Sequence, residues 1–135
     1  MTGEDLAAAA AALEGVPFRL NGRDRHYGTD CIGLLELALQ ACGREVTLPS
    51  GYCLRQTDPL AWLPDPQSCG FAPARLPALP GDVVLIRLGH GHTHLAVAGI
   101  GASWIHAHAG LRRVVVSPDL PDGTVIGHWR ILSTQ

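Results

Sequence analysis

The chain contains no lysine; all ten of its basic residues are arginines. That excludes a Schiff-base lysine and a phosphate-loop lysine, and two enzyme classes with them. No apolar run reaches the roughly 18 residues of a membrane-spanning helix. No two cysteines stand in a Cys-x-x-Cys pair: positions 31, 42, 53 and 69 are spaced by 11, 11 and 16 residues, which fits neither a zinc knuckle nor a thioredoxin-type motif. Neither sign of charge dominates. A net charge of −2 with 16% charged and 47% hydrophobic residues excludes a disordered tail and a basic nucleic-acid module. The opening Met1-Thr2-Gly3-Glu4-Asp5 is acidic where a secretory signal is basic. The alanine-rich stretch after it therefore reads as a helix of the mature protein, made in the cytoplasm without a signal peptide and with its thiols reduced.

What is present fits a single domain over 1–135, long enough to bury roughly two-thirds of its unfolded surface. Thr2 and Asp5 form a capping-box pair ahead of a helix over 4–14, which Gly15 and Pro17 stop. Residues 18–29 are polar and glycine-punctuated and read as a loop. Ile32, Leu34, Leu35, Leu37, Ala38, Leu39 and Ala41 then predict a largely buried helix, with Asp30 as N-cap and Gly43 just past its end. Residues 49–80 hold seven of the ten prolines, so this stretch is expected as a cleft-shaping loop with one helical turn at 58–62. Strands follow over 82–88, 93–100, 103–109, 112–117 and 125–132, separated by glycine and proline turns. Helices first and short strands after predict an α+β domain with an antiparallel sheet of about five strands.

Two groups of residues carry reactive chemistry. Cys31 opens the buried helix, where backbone N–H groups and the helix dipole favour a thiolate. Five of the seven histidines lie between 90 and 108. Strand alternation puts His92 and His94 on one face and His106 and His108 on another, and a hairpin around 99–101 brings the two pairs together. A cysteine with two strand histidines has the composition of nucleophile, base and orienter. Histidines two apart also suit a metal, and His90 to His94 reads equally as a solvated polar turn. Spacing alone leaves these readings open. Cys42, Trp62 and Trp104 read as apolar packing, with cleft lining the alternative for the tryptophans. Cys53 and Cys69 read as unpaired thiols, a disulfide being the alternative outside the cell. Arg112 and Arg113 read as a solvated strand edge, with a carboxylate-binding site the alternative.

Five stretches resemble, in order, the NlpC-type peptidoglycan cysteine peptidases. Asp30-Cys31-Ile32-Gly33-Leu34 is similar to that family's Asp-Cys-Ser-Gly-hydrophobic signature, and Phe18-Arg19-Leu20-Asn21-Gly22 to the Tyr-Arg-x-Gly-Gly stretch before it. Leu79-Pro80-Gly81-Asp82-Val83-Val84 resembles its Pro-Gly-Asp strand entry. His94-Leu95-Ala96-Val97 and Trp104-Ile105-His106-Ala107 resemble its two histidine strands. Together they extend over about 16–117. The resemblance implies a papain-like fold, with the nucleophile helix packed on the sheet. It implies Cys31 as nucleophile, His94 as general base held in a thiolate–imidazolium pair, and His106 as orienter, twelve positions after the base. Phe18, Asp30, Ile32, His92 and His108 are then placed around the substrate.

The implied reaction is hydrolysis of an amide in a peptidoglycan stem peptide, typically between D-glutamate and a diamino acid, with no cofactor and no metal. An amidase or acyltransferase with the same site, and a non-catalytic wall-binding or phage-tail module of the same fold, are the alternatives. Phe18 stands where the family has tyrosine, leaving Tyr27 as the hydroxyl source nearby, and Ile32 stands where it has serine. Compact members of this kind resemble those delivered to the cell wall by phage-tail-like particles, whose components are then the expected partners.

Overall fold

The computed structural model describes residues 1–48, 66–89 and 91–132. The expected helical turn at 58–62, Cys53, Trp62 and His90 lie outside them.

Helix α1 (Gly3–Ala11) starts at the capping box: Asp5 N–H donates to Thr2 Oγ1 at 3.2 Å, and Thr2 N–H to Asp5 Oδ2 at 2.9 Å. It ends earlier than its alanine content suggests, turning out through Ala12 to Gly15, whose φ of +89° suits glycine. Two short strands, β1 (Arg23–Asp24) and β2 (Gly28–Thr29), form a small antiparallel ribbon inside the expected loop. Helix α2 (Cys31–Ala41) follows directly, capped by Asp30, with Gly43 at φ +89° just past its end.

The remainder is one antiparallel sheet in the order β3-β8-β4-β5-β6-β7. Its strands are β3 (Phe71–Pro73), β4 (Val83–Leu88), β5 (Thr93–Ala98), β6 (Trp104–His108), β7 (Arg113–Ser117) and β8 (Gly123–Ile131). The expectation of about five strands is short by β3, which lies in the proline-rich stretch. Pro73 is tolerated there because β3 is an edge strand paired only with β8. Phe71, 4% exposed, anchors it in the core.

The sheet is covered unevenly. Val83, Leu85, Leu95, Val97, Ile105, Ala107 and Val114 join Leu6, Leu34 and Leu39 of the helices in the main core. Val84, Ile86 and Ala96 form a smaller cluster on the opposite face, with Leu88, Trp104 and Leu120 against it. β4 is therefore buried on both faces, and its Val-Val-Leu-Ile run is continuously apolar for that reason.

Candidate active site

Cys31 is held by the turn that precedes it. The Asp30 carboxylate caps α2, with Oδ1 accepting from Gly33 N–H at 2.8 Å and Arg23 Nη1 at 3.1 Å, and Oδ2 accepting from Asn21 N–H at 2.8 Å. Arg23 also reaches Glu36 one helical turn later, Nε to Oε2 at 3.4 Å, and Glu36 Oε1 accepts from Leu48 N–H at 2.6 Å. Gly33 is required for close approach: a Cβ there meets Gly22 O and Thr29 Oγ1. The loop over 19–29 thus clamps the first turn of α2.

The sheet opens where this helix begins. Ala98 N–H bonds Asp82 O and Leu88 N–H bonds His92 O, so alternation turns the N–H groups of Thr93, Leu95 and Val97 toward β6. Yet the β5–β6 ladder consists of Val97↔Ile105 and Ala98↔Trp104, while β6 pairs β7 over its whole length. β5 therefore parts from β6 before Leu95. The Leu95 N–H faces the Cys31 sulfur instead, joined there by the N–H groups of Cys31 and Ile32. The start of α2 sits at the split between two strands.

His94 and His106 lie beside that split. Leu95 and Ile105 turn into the main core, so alternation places His94 and His106 on the other face, with Ala96 and Trp104. His94 Nε2 and His106 Nδ1 are 3.0 Å apart, and the rings meet edge to face at 5.0 Å between centroids. His106 is 3% exposed. His108 lies at the end of β6, 5.7 Å from the His106 ring, and its Nδ1 accepts the Leu111 N–H at 3.0 Å. It is committed to the turn after the strand. His92 is half-buried just before β5.

Three of the residues expected around the substrate make their contacts within the fold. Asp30 is buried, and its carboxylate is engaged by the protein's own donors. Ile32, 6% exposed, belongs to the main core, and the half-buried Phe18 packs against it. Asp30 and Ile32 bear on the site through the position of Cys31. Tyr27 is 76% exposed on the β1–β2 turn, where its N–H donates to Asp24.

The electrostatics run against the expected thiolate–imidazolium pair. Burial, followed by the neighbouring Asp30 charge, pushes the Cys31 thiol up to about 11, against the pull of the three backbone N–H groups. Burial pushes His94 down to about 3, with His106 and His108 adding repulsion. His106 is lowered by burial and then by His108. The resting site is neutral: a thiol and two uncharged imidazoles. A helix N-terminus favours a thiolate, but here desolvation is the larger effect.

Sequence reasoning misses Ser117, whose Oγ is 3.3 Å from His106 Nε2. It stands on β7 diagonally across from His106, a relation that appears only once the hairpin register is known. Also missed is a second buried polar group. Asp82 accepts from His128 Nε2 at 2.7 Å, from Arg130 Nε and Nη2 at 2.9 Å each, and from Leu79 N–H at 3.1 Å. Cys42 and Cys69 are free, half-buried thiols away from the site. Among the described residues no group of three or more His, Cys, Asp or Glu is placed to hold a metal, and no helix is long and apolar enough to cross a membrane.

No family model matches the chain, and no curated protein sequence matches it. Solved structures do. NlpC1 from Trichomonas vaginalis superposes with a TM-score of 0.73 at 19% identity, over 98% of this chain and 45% of that one. The NlpC/p60 domain of the peptidoglycan hydrolase SagA superposes with a TM-score of 0.64 at 25% identity, over 98% of this chain and 100% of the domain. The peptidoglycan hydrolase RipB from Mycobacterium tuberculosis gives 0.67 at 21%, over 98% and 65%. This chain thus spans about half the length of NlpC1 and the whole of the SagA domain. Two helices on an antiparallel sheet, the second helix beginning at a cysteine where two histidine strands part, make this chain an NlpC/p60-type domain in fold.

Proposed function

We propose that the protein is a cysteine peptidase that hydrolyses an amide bond in peptidoglycan stem peptides, acting at the bacterial cell wall. The observation that carries this reading is the placement of Cys31 at the β5–β6 split, with His94 on the adjoining strand residue and bonded to His106. Similarity of fold to SagA and RipB, named as peptidoglycan hydrolases, supports the substrate class. The order of Cys31, His94 and His106 along the chain, as in the NlpC-type motifs, supports the roles.

His94 Nε2 is occupied by His106, so the opposite nitrogen, Nδ1, is the one left for the thiol. In the neutral resting site Nδ1 takes the Cys31 proton as the sulfur attacks the carbonyl, making proton transfer and C–S bond formation one event. The N–H groups of Leu95, Cys31 and Ile32 face the sulfur, where negative charge develops as its proton leaves. The imidazolium then protonates the departing amine. Water, deprotonated by His94, cleaves the thioester and restores the thiol. The expected bond is that between D-glutamate and the diamino acid.

The test is incubation with muropeptides of defined sequence, with products identified by mass spectrometry. Cleavage at one amide supports the reading. Ester hydrolysis or acyl transfer without amide cleavage turns it toward an esterase or transferase, and binding without turnover toward a wall-binding module.

A further inference from the structure

The chain of hydrogen bonds from His94 does not stop at His106. Ser117, at the end of β7, pairs with Trp104 and stands diagonally across from His106 on the same face of the sheet. Its Oγ lies 3.3 Å from His106 Nε2 and donates to the Asp119 carbonyl at 2.8 Å. A carbonyl oxygen only accepts, so the single hydroxyl proton is committed to Asp119. Toward His106 the Oγ presents a lone pair, and His106 Nε2 must carry the hydrogen of that contact. A neutral imidazole has one N–H, so His106 Nδ1 is bare and accepts. The 3.0 Å contact to His94 Nε2 then needs the hydrogen on His94, which leaves His94 Nδ1 bare. One backbone carbonyl orients three successive hydrogen bonds in the same sense.

We propose that Ser117, anchored on the Asp119 carbonyl, is a positioning residue that fixes His106 as its Nε2–H tautomer and, through it, His94 as its Nε2–H tautomer. The bare His94 Nδ1 is then the atom that receives the Cys31 proton. This last role rests on the peptidase reading above; the tautomers themselves do not.

Long-range proton–nitrogen correlation spectra of histidine-labelled protein read the tautomers directly, without substrate. The wild type is expected to carry hydrogen on Nε2 in both His94 and His106. Ser117→Ala removes the acceptor, so both rings become tautomer mixtures and kcat falls about fivefold at unchanged KM, the worth of one hydrogen bond. Ser117→Thr, which keeps the hydroxyl, restores both. Hydrogen on His106 Nδ1 in the wild type overturns the proposal without reference to any variant. Tautomers unmoved by Ser117→Ala, or moved with kcat unchanged, overturn it as well. Should the tautomers stand as assigned and respond to Ser117→Ala while no wall peptide is cleaved, the positioning of the rings holds and the peptidase reading falls.

Discussion

Among the described residues, two buried polar groups contain histidine, and they are built on opposite principles. At one, the Asp82 carboxylate accepts four hydrogen bonds from His128, Arg130 and Leu79. Burial works to raise that carboxyl, but the Arg130 and His128 bonds outweigh it and hold it below its usual value. At the other, the groups acting on His94 are two further histidines, and burial drives the ring neutral. A carboxylate bonded to Arg130 and His128 is a pin between the entry to β4 and β8. A histidine pair kept uncharged keeps the lone pair that the proposed role of base requires. Both sites are buried; what differs is the partner, a carboxylate with a guanidinium at one and two further histidines at the other, so burial prevails only at the second.

The comparison breaks if the histidine pair behaves as an anchor. His94→Gln is expected to lower kcat/KM by about a thousandfold, the range for losing a general base, while leaving thermal stability within about 1 kcal/mol. Steady-state kinetics beside calorimetry separates the two. Asp82→Asn should do the opposite. The charge-assisted bonds to the buried carboxylate are weakened, but Arg130, 37% exposed, stays solvated, so the cost is about 1 kcal/mol of folding stability, read by urea unfolding, with kcat per folded molecule retained. His106→Ala comes next, with kcat down about 10- to 100-fold because nucleophile and base remain. A fall no larger than that of His108→Ala, expected under about threefold, would move the orienting role away from His106.

Acid sharpens the same contrast. His94 is held neutral down to about 3, so activity limited by its protonation persists below the ordinary histidine value of 6.5. Its unfolded form takes up a proton near 6.5. The unfolded state therefore binds more protons below that pH, and stability falls as pH drops from 6.5 toward 3. Asp82, depressed instead, contributes stability above its unfolded value of 3.8 and loses it only as pH falls further. Unfolding curves across this range are expected to show the first loss diminished in His94→Gln and the second in Asp82→Asn.

Much of this site was legible along the chain because its determinants are local. The Asp30 cap, the start of α2 at Cys31 and the alternation that gathers residues 94, 106 and 108 all follow from neighbours within a helix turn or a hairpin, whereas the choice of 106 over 108 comes from the family resemblance. What was hidden depends on distant partners. β3 exists because β8, nearly sixty residues later, offers Phe71 and Pro73 an edge. Asp82 finds His128 and Arg130 across 46 and 48 positions. The neutrality of Cys31 and His94, where the sequence predicts charged forms, comes from desolvation by the assembled fold, which a helix N-terminus in isolation does not foretell.

The central claim is that Cys31 attacks a wall-peptide amide. It is tested most directly by trapping the acyl-enzyme: purified protein mixed with a stem peptide carrying the D-glutamyl–diamino acid bond, quenched in acid and digested for mass spectrometry. The account predicts an acyl group on the peptide containing Cys31, release of the free diamino acid fragment, and neither in Cys31→Ala. Amide cleavage by Cys31→Ala at the wild-type rate would contradict it.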